Sequence, residues 1–344
     1  MQIDRKLRPS SASLARVARR AALTRRAALT RRPVLTSRAA LTALTALTAL
    51  TALTVLTPAP ALAASAAFEL PPLVSPASTE HHVGKLVWAD LVTTDVDAAK
   101  TFYAALFGWT YRDISGQKDF VIAFVNDRPV AGMIRRELPK GEQRRPAWLP
   151  FLAVRDVAQA AQIIQARGGK ELAVEHNYPQ RGRQAVFADP QGAVFAVLAS
   201  SAGDPPDVLA APGEWIWSSL MTVDPDTDAA FYQRVFGYEV YDLPADNATG
   251  TPAAQHLVLS SGEYARGSAN SFPAGRLGHP HWLNFVRVAD AAATAAKAVS
   301  LGGQVLSEPH LDRHGGRIAI LADPAGARFG VMEWTENDSG EAAK

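Results

Sequence analysis

Four stretches of the chain share one pattern of apolar and polar positions. The segment Leu86–Asp95 is a mostly apolar run that ends in an aspartate. An Ala-rich segment with apolar residues at helical spacing follows, and then Gly108. The same succession recurs from Trp148 to Asp156 with Gly168, from Trp215 to Asp224 with Gly237, and from Trp282 to Asp290 with Gly302. Each copy predicts a strand, an N-cap, a helix, a glycine stop and two or three further strands. The carboxylates of Asp95, Asp156, Asp224 and Asp290 stand where they can accept from the free N–H groups of the first helical turn. Asp189-Pro190-Gln191-Gly192 and Asp323-Pro324-Ala325-Gly326 read as turns between strands. In the first strand, side chains alternate between faces, so Trp88, Asp90 and Val92 share one and Val87, Ala89 and Leu91 the other. The wholly apolar second face suits packing beneath a helix, which leaves Trp88 and Asp90 on the face away from it. The same parity puts Trp217, Ser219 and Met221 on the corresponding face of the second half.

The copies pair into a tandem duplication. Phe102-Tyr103 through Phe107-Gly108 matches Phe231-Tyr232 through Phe236-Gly237, and Ala188-Asp189-Pro190 matches Ala322-Asp323-Pro324. We therefore expect one domain over residues 84–200 and a second over 213–335. A Gly-, Asp- and Pro-rich linker over 201–212 joins them, and a disordered tail covers 336–344. The Phe-Tyr pairs, mid-helix, are expected to be core.

Residues 1–66 do not read as fold. Lys6 and Arg5, Arg8, Arg16, Arg19, Arg20, Arg25, Arg26, Arg31, Arg32 and Arg38 face a single acid, Asp4, within the first forty positions. An uncharged Ala-Leu-Thr repeat follows, then the small residues Ala61–Ala66. Basic, apolar, then A-x-A is the order of a secretory leader, with cleavage expected after Ala63 and a periplasmic or secreted product. The apolar run is short of a membrane span, so no stable membrane insertion of the mature chain is expected. Residues 67–83, rich in Pro and Ser, read as a linker, with His81 and His82 in solvent.

Composition narrows the chemistry. The formal charge of +2 belongs to the leader, and the remainder is acidic, so no nucleic-acid partner is implied. The chain has no cysteine, which excludes disulfides, thiolate metal sites and a cysteine nucleophile. There is no phosphate-binding glycine loop and no serine elbow.

Four βαβββ units in two pairs resemble the vicinal oxygen chelate superfamily, the glyoxalase, bleomycin-resistance and extradiol-dioxygenase group. Trp88–Leu91, Phe102-Tyr103 with Leu106–Trp109, and the two Asp-Pro-x-Gly-Ala-x-Phe blocks carry the resemblance, which spans nearly all of residues 84–335. It implies an α+β fold of two glyoxalase-like domains, each a half-open barrel of mixed sheet around a small-molecule site. It also implies metal ligands seven residues before each helix-opening aspartate and in each last strand. Those positions hold Trp88, Leu149, Ala196, Trp217, Leu283 and Gly330, none of which coordinates a metal. No cofactor is therefore expected, although a divalent metal on other residues, such as His281 or Glu333, stays open.

The candidate ligand-binding residues are Trp88, Asp90, Trp217, Ser219, His281, Arg183 and Arg317. His281 shares a strand face with Leu283. Arg183 and Arg317 occupy equivalent places and could orient an anion. His176 and His310 are also equivalent and are expected in solvent or in turns, with His310 and His314 in a loop. The leading expectation is an exported protein that binds a small organic molecule in apolar bowls without a metal. The alternatives are a lyase, isomerase or dioxygenase with non-standard metal ligands, and an assembly module with vestigial pockets. The chain is expected as a monomer with its two domains paired, or as a homodimer.

Overall fold

The computed structural model describes residues 69–114, 117–137, 145–242, 255–272, 278–312 and 316–334. The leader and the tail, with their expected cleavage site, lie outside the described residues, as does His314. Sixteen strands and four helices make up the described part. The first half contains β1 (Leu86–Thr93), α1 (Val96–Phe107), β2 (Thr110–Ile114), β3 (Gln117–Val125), β4 (Arg128–Arg135), β5 (Ala147–Ala153), α2 (Val157–Ala166), β6 (Lys170–Tyr178), β7 (Gly182–Ala188) and β8 (Val194–Ser200). The second half repeats it: β9 (Trp215–Thr222), α3 (Pro225–Phe236), β10 (Glu239–Asp242), β11 (His256–Ser261), β12 (Tyr264–Ser271), β13 (His281–Val288), α4 (Ala291–Ser300), β14 (Gln304–Leu311), β15 (Arg317–Ala322) and β16 (Arg328–Glu333).

Each half forms one eight-stranded mixed sheet, in the order β2-β3-β4-β1-β5-β8-β7-β6 and β10-β11-β12-β9-β13-β16-β15-β14. The two βαβββ units of a half meet at an antiparallel central pair, β1 with β5 and β9 with β13. Within a unit, the first and last strands run parallel. Each sheet curls into the expected half-open barrel, with a helix-covered convex face and a concave face.

The helix ends form as the sequence predicts. Asp95, Asp156, Asp224 and Asp290 accept from the backbone N–H three residues on, at 3.0, 2.9, 3.1 and 2.8 Å. Among the described residues, no helix is long and apolar enough to cross a membrane.

The convex faces do not end in solvent. Helix α1 and the strands beneath it share a core with α4, through Phe102, Tyr103, Leu106, Ala291, Ala295, Phe329 and Val331. Helices α2 and α3 do the same through Ile164, Phe187, Phe195, Phe231, Tyr232 and Val235. The first unit thus pairs with the fourth and the second with the third, across the two halves.

Two buried relays cross these cores. Trp148 Nε1–H donates to the Tyr103 hydroxyl at 2.9 Å, which donates to Asp323 Oδ2 at 3.2 Å. Trp282 Nε1–H donates to Tyr232 at 3.0 Å, which donates to Asp189 Oδ2 at 3.0 Å. The other carboxylate oxygen of each aspartate holds its own turn: Asp189 Oδ1 takes the N–H of Gln191 and Ala193, and Asp323 Oδ1 those of Ala325 and Ala327. A second matched pair ties each half to the segment leading into the other. Trp109 donates to Gly213 O at 2.8 Å and Tyr238 to Gly84 O at 2.6 Å.

Removing one hydroxyl from a relay strands a buried indole N–H and a buried carboxylate oxygen together. Tyr232→Phe should therefore cost about 2–4 kcal/mol, the sum of two unsatisfied groups. Because the relay joins both halves, the loss should appear in urea unfolding as one shifted transition. Two separated transitions, or no shift, would count against this account.

Candidate functional site

The first concave face is lined by Trp88, Phe120, Ile122, Phe124, Phe151, Ala196 and Leu198, and Val87, expected on the helix side, joins this cluster instead because the strand register shifts between Leu86 and Trp88. Trp88 and Asp90 both point into it, as the strand parity predicts, and both are almost fully buried. Trp88 Nε1–H donates to Asp90 Oδ1 at 2.7 Å. Gly132, opposite Asp90 on β4, gives its backbone N–H to the same carboxylate. A Cβ at Gly132 would stand 2.2 Å from Asp90 Oδ1, so only glycine leaves room for the carboxylate. Burial pushes the Asp90 carboxyl up to about 6, partly offset by the Trp88 hydrogen bond, the Arg181 charge and the Gly132 N–H.

The bowl's cation is a residue the sequence did not single out. Arg181 is fully buried, with its guanidinium 3.8 Å from the centre of the Trp88 ring. Burial draws its pKa down to about 10, and the Asp90 charge opposes the shift. Arg183, the expected candidate, is exposed and pairs with Glu175 at 2.5 Å. Gly182 explains the difference. Its φ of 116° and the 2.1 Å between a would-be Cβ and Ala199 O require glycine, and there the chain enters β7 with Arg181 inward and Arg183 outward. Arg317, the equivalent of Arg183, is likewise exposed on β15, opposite Glu333.

Part of the segment read as a linker, residues 69–76, lies in this bowl. Leu70 and Leu73 are 5% exposed and belong to its apolar cluster, with Val74 packed against it.

The second concave face carries different chemistry. Trp217, Val258, Ala265, Leu283, Phe285 and Met332 form its walls, with Met221, Ile318, Ile320 and Trp334 partly exposed around them. Where the first bowl has Asp90 opposite Gly132, this one has Ser219 opposite Ser268. The two hydroxyls are 2.9 Å apart, and Ser268 Oγ also accepts from Trp217 Nε1 at 3.3 Å and Asn270 Nδ2 at 3.1 Å. Asn270 Oδ1 is buried without a partner.

His281 lies at this bowl's rim, beside Phe272, with Nδ1 2.8 Å from His279 O. Burial lowers its pKa. Glu333 cannot join it. Met332 faces the bowl and Val331 the helix-side core, so Glu333 turns to the helix side, where Oε2 accepts from Ala291 N at 3.2 Å. The positions where the superfamily places metal ligands do line the bowls: Trp88, Leu149 and Ala196 in the first, Trp217, Leu283 and Gly330 in the second. The donor set of such a metal centre does not fit them. Among the described residues, no group of three or more His, Asp or Glu side chains is placed to hold a metal ion.

His81 and His82 are half-buried rather than in solvent. His82 pairs with Glu80 and with Asp207, each at 3.1 Å. Asp207 also takes a fork from Arg266 and a 2.9 Å contact from Lys85 Nζ, which hold its carboxyl well below the usual range despite burial. Glu80, His81, His82, Asp207 and Arg266 border a cavity of about 630 Å³ outside both bowls, against the β11–β12 turn. Their charges are matched among themselves, so the cluster serves as a clasp between the two entry segments. His310 lies on edge strand β14 and not in a loop; an edge tolerates the neighbouring Pro309. His176 matches it on edge strand β6, exposed.

The buried acids set a pH dependence. Asp90 and Asp228 are both pushed by burial from the ordinary 3.8 up to about 6. A folded pKa above the unfolded one contributes stability that is complete below about 4 and lost as pH rises through about 6. The chain should therefore gain stability between pH 7 and pH 4.5, with about 2 kcal/mol of the gain from Asp90 alone. Asp90→Asn keeps the shape and should flatten the slope by that share in urea titrations. An unchanged slope would show that Asp90 is ionised as easily folded as unfolded.

Comparison with known proteins agrees with this geometry. Residues 81–197 match the family described as Glyoxalase/Bleomycin resistance protein/Dioxygenase superfamily, and residues 218–332 match a Glyoxalase-like domain. CFP32 of Mycobacterium tuberculosis, named as a glyoxylase, is 33% identical over 261 residues, 75% of this chain and 98% of that protein. The anthracycline biosynthesis protein DauV of Streptomyces sp. (strain C5) is 32% identical over 266 residues, 74% of this chain and 94% of that protein. The Mn(II)-bound glyoxalase from Novosphingobium aromaticivorans superposes with a TM-score of 0.53 at 17% identity, covering 74% of this chain and 83% of that one. The 2,3-dioxygenase LapB from Pseudomonas sp. KL28 does so at 0.51 and 14% identity, covering 75% and 94%. With both halves matched and full-length relatives about one-third identical, the chain belongs to the glyoxalase/bleomycin resistance protein/dioxygenase superfamily.

Proposed function

We propose that the chain is an exported protein that binds a small organic molecule in its second bowl, by apolar contact and a few hydrogen bonds, without a metal. One observation carries this reading. Asn270 Oδ1, buried and unpartnered, lies within a hydroxyl–amide cluster on an otherwise apolar concave wall. A few convergent polar groups among apolar side chains are the usual make-up of a small-ligand site. A ligand O–H or N–H would satisfy that oxygen, while Trp217, Phe285 and Met332 take up its carbon framework. Ser219 and Ser268 carry no charge, which favours a neutral ligand. Export rests on the leader alone. Because the first unit pairs with the fourth and the second with the third within one chain, we favour the monomer.

The names of the anthracycline biosynthesis relatives direct the first probe. An anthracycline carries hydroxyl donors on a flat carbon framework and reports binding by its own fluorescence. We expect the chain to bind daunomycinone, the uncharged sugar-free anthracycline, one-to-one with a micromolar Kd, and Asn270→Leu to weaken it about tenfold with little change in Tm, as loss of one buried hydrogen bond implies. A chelator should leave the affinity unchanged. Binding insensitive to Asn270→Leu would remove the second bowl as the site. Stoichiometric metal in the purified protein, with binding or turnover lost to the chelator, would favour the enzyme reading instead. No response to anthracyclines or to a wider metabolite panel would favour the assembly role.

A further inference from the structure

The first bowl holds a site of its own, and the chain itself fills it. Residues 69–76 run across the concave face without joining any strand. Leu70 and Leu73 enter the apolar cluster around Trp88, Phe120 and Phe151. Between them, Pro71 O accepts from Arg181 Nε at 2.6 Å. At the margin, Gln180 Nε2 meets Glu69 Oε2 at 3.0 Å, and Ser78 N donates to Ala202 O at 2.8 Å. The contacts are those of a bound molecule: two apolar groups flanking one carbonyl, laid on an aromatic wall with a donor beneath.

Arg181 shows that the fit is incomplete. Its side chain is fully buried, stacked on Trp88, and its Nη2 has no partner. Permanent core seldom leaves a guanidinium nitrogen in that state. The strap uses one prong of a fork whose second prong is ready for another oxygen.

Charge chooses the ligand. Asp90 lies on the same wall, joined to Trp88 by the indole N–H, and compensates Arg181. A carboxylate or sulfonate would add an unmatched negative charge to a dry site, which is costly. A neutral carbonyl would take the donors and leave the balance intact.

We propose that the first bowl binds neutral, carbonyl-bearing apolar molecules, and that residues 69–76 are a displaceable stand-in for them. Arg181 is the carbonyl donor, Trp88 the wall beneath it, and Leu70 and Leu73 occupy the space of the ligand's carbon groups. The site is separate from the second bowl and draws on none of its residues.

Prodan, a neutral naphthyl ketone whose emission reports hydrogen bonding to its carbonyl, is a direct probe. Loosening the strap by Leu70→Ser/Leu73→Ser should tighten prodan binding at least tenfold over the unaltered chain. Adding Arg181→Lys keeps the charge against Asp90 but loses the planar fork; it should reverse that gain and shift the emission to that of a carbonyl no longer held by two prongs. Anilinonaphthalene sulfonate, an anion of similar size, should gain nothing. Binding in the second bowl does not respond to Arg181→Lys, so the two sites are told apart. If the loosened variant retains its near-UV circular dichroism yet gains no prodan affinity, the proposal is wrong. The same holds if Arg181→Lys leaves the gain intact, or if the sulfonate gains as much as the ketone. Should the variants not fold, hydrogen exchange on the unaltered chain decides: saturating prodan should speed exchange in residues 69–76, and unchanged exchange there overturns the proposal.

Discussion

The two halves are held in one arrangement by the pair of Trp–Tyr–Asp relays. Each relay begins in one βαβββ unit, passes through the tyrosine of a second, and ends on the Asp-Pro turn of a third. A buried aspartate that also closes its own turn cannot slide, because each displacement would break hydrogen bonds in a place with no water to replace them. The relays therefore set the distance and rotation between the two halves, which apolar packing alone would leave adjustable. With the convex faces locked together, the concave faces are the surfaces on which change is tolerated.

That freedom has been used differently in the two bowls. Trp88 and Trp217 occupy matching positions and keep the same aromatic wall. Beside them, the first bowl has exchanged neutral groups for charges, or the second the reverse. Asp90 requires Gly132 for space, and its charge requires Arg181 for compensation. Ser219 needs neither, and Ser268 fits where a glycine stands in the first bowl. Each set of residues is consistent within itself, and mixing them would not work: a serine at Gly132 would collide with Asp90, and Arg181 without Asp90 would leave a lone cation in apolar surroundings.

Much of this was legible in the sequence where the governing interaction is local. The helix caps reach three residues, and the four aspartates did as expected. Strand alternation correctly sent Trp88, Asp90, Trp217 and Ser219 inward, since a period-two pattern needs no knowledge of partners. The same rule placed His281 with Leu283 and would have excluded Glu333, whose neighbour Met332 takes the bowl side. Long-range relations were not legible. Tyr103 and Tyr232 read as core stripe, which they are, but their hydroxyl partners lie in the other half of the chain. His82 read as solvent because its anchor, Asp207, is in the other linker. Arg183 was singled out for its match to Arg317, and only the backbone turn at Gly182 shows that Arg181 is the inward arginine.

The strap was hidden for a related reason. Proline and serine content is a sound guide to backbone that forms no helix or strand, and residues 69–76 form neither. Composition does not tell whether irregular backbone lies in water or against an apolar surface. Here two leucines spaced three apart, flanking a proline whose carbonyl is free by default, suit a concave wall that offers one donor. An irregular segment makes no ladder of backbone bonds to its host, so its hold rests on Leu70, Leu73 and Val74, one carbonyl and the Glu69–Gln180 contact. Such a segment opens more readily than any strand of the sheet it covers. The sheet can then remain folded while its occupant leaves, which is the condition a binding site must meet and a core need not.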